Sequence, residues 1–282
     1  MRLLFLLLLL SSTAALTACT SAGLPDDDDD DATEPPRPGP EYSGDTCPTL
    51  SQGEIDFATG DTSYAVRFEL PDDPEGAPVV FVWHWLGGTH DQIVDWLEFD
   101  ALTDEGAIVV APRSSDSLFE WASFSPPEGN PDLLLFHDLL SCLSTQYTVD
   151  LDRVYATGMS AGGLWTSYLT THGAPWLAAT APLSGGAVGD TSAAHPIPVM
   201  LTWGGPTDEA QGYDFHDGTQ TLSQDLRDDG YFVIECEHDG GHTVPDGAAE
   251  DIWRFFEQHP AGAASPWSEA LPDSLPDYCR LP

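Results

Sequence analysis

The stretch Arg153-Val154-Tyr155-Ala156-Thr157-Gly158-Met159-Ser160-Ala161-Gly162-Gly163-Leu164-Trp165-Thr166-Ser167-Tyr168-Leu169 decides how this chain folds. Val154 to Thr157 form a β-branched and aromatic run that suits a buried strand. From Gly163 the sequence continues as a helix. Between them, Gly158-Met159-Ser160-Ala161-Gly162 has the form G-x-S-x-G. By itself that pentapeptide turns up by chance in roughly one chain in ten of this length. A strand before it and a helix after it make the setting a nucleophile elbow requires, where a serine sits on a sharp turn with its hydroxyl exposed. The flanking glycines then allow close approach of strand and helix. The bland alternative is a serine in an ordinary βα turn.

Outward from this stretch, short β-rich runs alternate with longer amphipathic ones from about residue 63 onward, with no fixed-period repeat. Strands are expected at 64–70, 78–83, 107–111, 153–157, 177–183, 198–203 and 231–235, and helices at 90–104, 131–146, 161–171, 215–229 and 246–258. The alternation argues for an α/β domain, a mainly parallel sheet with helices on both faces. A loop over 114–130 carries Phe119, Trp121 and Phe124, and long loops in compact domains are often functional. Trp121 is the candidate substrate contact, with packing against the domain as the other reading.

A serine hydroxyl needs a neighbouring imidazole to take its proton. His242, in Glu237-His238-Asp239-Gly240-Gly241-His242, follows the last expected strand and is the favoured base, with His238 the runner-up. A zinc pair from the two histidines would need both rings on one helical face, and Gly240-Gly241 disfavours helix there. The imidazole needs a carboxylate partner. Asp208 follows Val199-Met200-Leu201-Thr202-Trp203 on the next loop, giving the order Ser160, Asp208, His242; Asp214 is the alternative acid. Two N–H donors must hold a developing oxyanion. The backbone of Ala161 is one candidate and Leu86, in His84-Trp85-Leu86-Gly87-Gly88, the other, with Trp85 as its neighbour and replacement. His84 and Trp85 are placed at the substrate, His84 bracing the loop rather than transferring protons. No metal and no cofactor are expected.

Residues 1–18 read as an export signal: Arg2, then the apolar run Leu3 to Leu10, too short to span a bilayer. The segment ends in Leu16-Thr17-Ala18-Cys19, which resembles a bacterial lipobox, so Cys19 is expected to carry lipid; a plain secretory signal is the alternative. Thr20 after it resembles lipoproteins passed to the outer membrane. Residues 19–45, rich in Pro, Gly and acid with aspartates at 26–31, read as a self-repelling tether, and 46–282 as the domain. A calcium role for the aspartates is the lesser reading.

The 282 residues hold 8 basic and 47 acidic side chains, a formal net charge of −39. Such a surface repels nucleic acid and anionic polymers; it favours neutral or cationic substrates, with acid that simply keeps an exported protein soluble as the equal alternative. With Cys19 lipidated, Cys47, Cys142, Cys236 and Cys279 leave up to two disulfides in three possible pairings, and a tie between Cys47 and Cys279 at the domain ends is weakly preferred.

Taken together, the His84 to Gly88 loop, the 153–163 phrase, Gly205-Pro206-Thr207-Asp208 and Gly240-Gly241-His242 resemble the polyhydroxybutyrate depolymerase and feruloyl esterase group of α/β-hydrolases over about 63–258. The chain departs at Trp85, where that group usually has Gly. The resemblance implies an α/β-hydrolase fold and a cofactor-free serine esterase acting on polyhydroxyalkanoate, feruloyl or acetyl esters, polymeric or small. A monomer is expected, touching membrane through its lipid alone. A non-catalytic surface module binding a polysaccharide or a partner, and a peptidase on the same fold, are the competing functions.

Overall fold

The computed structural model describes residues 39–114 and 120–282. The expected export signal, Cys19, the aspartate run and Phe119 lie outside the described residues. In chain order the strands are β1 (Gly53–Thr59), β2 (Thr62–Glu69), β3 (Val79–Trp83), β4 (Ile108–Pro112), β5 (Val154–Met159), β6 (Ala179–Leu183), β7 (Val199–Trp203), β8 (Glu209–Ala210), β9 (Tyr213–Asp214), β10 (Val233–Glu237) and β11 (Cys279–Arg280). The α-helices are α1 (His90–Leu97), α2 (Pro131–Tyr147), α3 (Ala161–His172), α4 (Phe215–Asp228) and α5 (Ala248–Glu257).

Nine strands form one sheet in the order β1-β2-β4-β3-β5-β6-β7-β10-β11. The six from β4 to β10 run parallel, and β1, β2 and β11 are antiparallel additions at the edges. Side chains of a strand alternate between faces. Thus Val79, Phe81 and Trp83 of β3 join a core with α2, α3 and α4, whereas Val80 and Val82 join a second core with α1 and α5. All five residues of β3, β4, β6 and β7 are buried, as parallel strands covered on both faces must be.

Several details differ from the sequence expectations or add to them. Strand β1 was not anticipated; it pairs with β2 through a two-residue turn at Gly60-Asp61, Gly60 taking φ 52°. The expected helix 90–104 breaks at Glu98, which adopts φ 56° and redirects the chain into a 3-10 turn, Phe99–Thr103, so that Phe99 and Leu102 are buried. Residues ahead of 46, the expected start of the domain, also bond to it. Asp138, buried on α2, needs donors and takes them from the Ser43 N–H at 2.8 Å, the Ser43 hydroxyl at 2.5 Å and Thr59. Lastly, the disulfides join Cys47 to Cys142 and Cys236 to Cys279, not Cys47 to Cys279. Cys47 meets α2, and Cys279 pairs in register with Cys236 at the sheet edge.

Candidate active site

Each candidate residue stands where a strand of the parallel sheet ends. Ser160 follows β5 and has φ 59° and ψ −114°, a conformation that costs on the order of 1–3 kcal/mol for a residue with a side chain. The turn is held because the Ser160 N–H donates to the Leu183 carbonyl at 2.9 Å and its own carbonyl accepts the Leu164 N–H at 2.8 Å. The residues two before and two after it must lack side chains. A Cβ on Gly158 would lie 2.6 Å from the Trp83 carbonyl oxygen, and one on Gly162 would lie 2.5 Å from the Trp83 carbonyl carbon. The end of β3 therefore presses directly on the elbow. As the residue before α3, Ser160 makes no side-chain capping bond, which leaves Oγ for other work.

That hydroxyl lies 2.9 Å from His242 Nε2, and His242 Nδ1 lies 2.7 Å from Asp208 Oδ1. A carboxylate only accepts, so Nδ1 carries the proton toward Asp208 and Nε2 is left to accept from Ser160. Asp208 is fully buried, and burial alone would push its carboxyl up. Bonds from His242, from the Gly204 N–H at 2.8 Å and from the Ser184 hydroxyl at 2.7 Å outweigh this and hold it below the usual range. The loops carrying Asp208 and His242 touch backbone to backbone: the Gly241 N–H donates to the Gly204 carbonyl at 3.0 Å, and a Cβ on Gly204 would sit 2.7 Å from the Gly241 nitrogen. Phe215 stacks on the His242 ring with centroids 4.4 Å apart, fixing its plane.

The alternatives have other duties. Asp214 caps α4 by accepting the Asp217 N–H at 2.9 Å. His238 Nδ1 accepts the Gly240 N–H at 3.1 Å.

The loop after β3 is a tight turn in which the Gly88 N–H donates to the Trp85 carbonyl at 2.9 Å, with Gly87 at φ 75°. Leu86 is the second residue of this turn, so its N–H is not used in the turn's own bond. The Ala161 N–H, in the first turn of α3, likewise has no intrahelical acceptor.

His84 and Trp121, both named as candidates at the substrate, are buried to 1% exposure, in keeping with the bracing role expected of His84 and the packing reading of Trp121. His84 Nδ1 donates to the Trp85 carbonyl at 2.9 Å while Nε2 accepts the Ser114 N–H at 3.1 Å, and burial lowers the pKa of the ring. Trp121 donates to the His84 carbonyl at 2.9 Å and packs edge-on against Trp83. Both brace the turn from behind, because an indole buried this deeply needs an acceptor and the loop backbone supplies one. Trp85 does face the site: with Leu86, Trp96, Met159 and Gln211 it lines a pocket of about 280 Å³ around Ser160 and His242. Sequence reasoning missed Ser184, Phe215, Trp96 and Gln211. Ser184 alone offered a signal, as a hydroxyl at the carboxyl end of a parallel strand, where α/β sheets place their ligand sites.

No family model matches the chain. It is 26% identical over 190 residues to a bifunctional acetylxylan esterase/xylanase of Neocallimastix patriciarum, covering 57% of this chain and 28% of that protein. It is 27% identical over 123 residues to a protein named probable feruloyl esterase C of Aspergillus terreus, covering 42% and 43%. The chain thus spans less than half the length of either relative. Among solved structures, native sOPH superposes with TM-score 0.69 at 17% identity, covering 83% of this chain and 96% of that one. A thermostable esterase superposes at 0.56 with 20% identity, covering 73% and 62%. The fold is that of the α/β-hydrolases, as the sequence motifs implied.

Proposed function

We propose that the chain is a serine-dependent carboxylic ester hydrolase working through an acyl-enzyme. The observation that carries this reading is the unbroken series Asp208, His242, Ser160, with successive contacts of 2.7 and 2.9 Å. Ser160 Oγ attacks the acyl carbon as His242 Nε2 takes its proton, and the imidazolium that forms faces the Asp208 carboxylate. The Ala161 and Leu86 N–H groups receive the oxyanion, a contribution worth about 3–4 kcal/mol per donor in comparable sites. His242 then gives its proton to the leaving alcohol oxygen. Water, deprotonated by the same imidazole, attacks the acyl carbon and releases the acid and free Ser160.

The esterase names of the relatives support this class of reaction. Esters of neutral polymers, acetylated or feruloylated glycans or polyhydroxyalkanoates, fit a chain of net charge −39 better than anionic ones. Two disulfides support an oxidising, extracytoplasmic setting. Residues 1–18 as export signal, Cys19 as lipid site and the acidic segment behind it as tether complete the reading of a monomeric enzyme anchored at a bacterial outer membrane. The test is hydrolysis of p-nitrophenyl acetate. Ser160→Ala is expected to lower kcat by about 10⁶, as in a comparable serine hydrolase, and activity that survives the substitution removes the proposal.

A further inference from the structure

Beside the pocket at Ser160 lies a second, larger cleft of about 590 Å³. One wall is the end of α1 and the 3-10 turn after it, with Glu98, Ala101 and Glu105; the other is the segment from Val244 to Ala249, with Asp246 at its rim. Trp96 lines both cavities, and at 48% exposure its indole is open to them, held edge-on against Trp85 with centroids 5.3 Å apart. The cleft and the candidate active site thus share one aromatic ring as a wall.

Its position identifies which half of an ester it faces. In the proposed reaction His242 Nε2 hands its proton to the leaving oxygen, so the alcohol must sit beside His242. Val244, two residues beyond that histidine, lines the cleft. Its chemistry narrows the occupant further. Carboxylates only accept hydrogen bonds, and Glu98, Glu105 and Asp246, which carry them, are among the residues that line the cleft. A fourth, Glu250, is paired with Arg254. A chain of hydroxyls supplies the missing donors, whereas a polyester has none, and an anionic polymer would be repelled.

We infer that this cleft binds the alcohol side of a carbohydrate ester, a run of neutral sugar units leading away from the scissile bond, with Trp96 as the platform at the junction. This rests on the esterase reading, and the test separates the two. Calorimetric titration of the Ser160→Ala chain with xylohexaose measures cleft binding with no need for turnover. Saturable binding, weakened at least tenfold by Ala101→Trp, which fills the cleft from its outer wall, is expected. Glu105→Ala, at an exposed position, is expected to weaken binding about threefold and serves if the tryptophan variant does not fold. Absence of xylohexaose binding, equal binding by these variants, or binding of a 3-hydroxybutyrate oligomer in its place overturns the inference. Failure of the unmutated chain to cleave p-nitrophenyl acetate would instead strike the esterase reading itself.

Discussion

Gly162→Ala tests the contact on which the site is built. A Cβ at this position would lie 2.5 Å from the Trp83 carbonyl carbon and 2.8 Å from the His84 carbonyl oxygen. Ordinary contact begins at 3.4 Å and the Trp83 carbonyl oxygen is nearer still, so either the elbow or the end of β3 must give by more than about 0.9 Å. Neither can yield through a flexible side chain, because both obstacles are backbone. Overpacking of this kind costs typically 1–3 kcal/mol of stability. The functional cost is set by what sits on the two strands. The elbow carries Ser160 and Ala161, and the strand it strikes leads into the turn with Leu86, so the shift separates the proposed nucleophile from one proposed oxyanion donor. Displacements of about 1 Å cost on the order of 10²-fold in rate. The assay is kcat/KM on p-nitrophenyl acetate alongside a denaturation curve. A Gly162→Ala chain with unchanged kcat/KM would refute the reasoning.

Three other outcomes are expected. Ser184→Ala removes one of the three donors on Asp208; with such charge-assisted bonds worth about 1.5–3 kcal/mol, kcat/KM should fall at least tenfold, and an unchanged value would remove Ser184 from the positioning network. Burial pushes the Asp132 carboxyl up from 3.8 to about 6. Because the folded chain holds that proton longer, the associated stability is full below pH 3.8 and is lost as pH rises through 6. Asp132→Asn, which keeps an acceptor for the Ala122 N–H, should therefore gain about 2 kcal/mol on the parent chain between pH 4 and pH 7; urea titrations giving a constant difference would contradict this. Cys47→Ala with Cys142→Ala should destabilise by about 4–5 kcal/mol, given a closed loop of 95 residues, and peptide mapping that found Cys47 bound to Cys279 would contradict the pairing.

The parts of the site that were legible in the sequence share one property. Ser160, Asp208 and His242 each follow a run of β-branched or aromatic residues, so hydrophobic patterning located the strands and the strands located the residues. Ser184 obeys the same topology after β6, but a serine without a motif carries no mark of its partner. Trp121 shows the limit in the other direction: an aromatic in a polar loop can face inward or outward with the same sequence, and the buried His84 carbonyl decided it. Strand β1 was hidden because acidic Glu54 and Asp56 occupy its outer face, leaving only Ile55 and Phe57 as apolar signal. The disulfides depended on which elements meet in space, information that Cys spacing does not hold.

The most direct test of the central claim is intact-mass analysis after exposure to a fluorophosphonate, with peptide mapping of any adduct. Activation of Ser160 by His242 predicts one adduct on Ser160, lost in Ser160→Ala and strongly slowed in His242→Ala. An unmodified chain, or labelling that proceeds at the same rate without His242, would contradict the account.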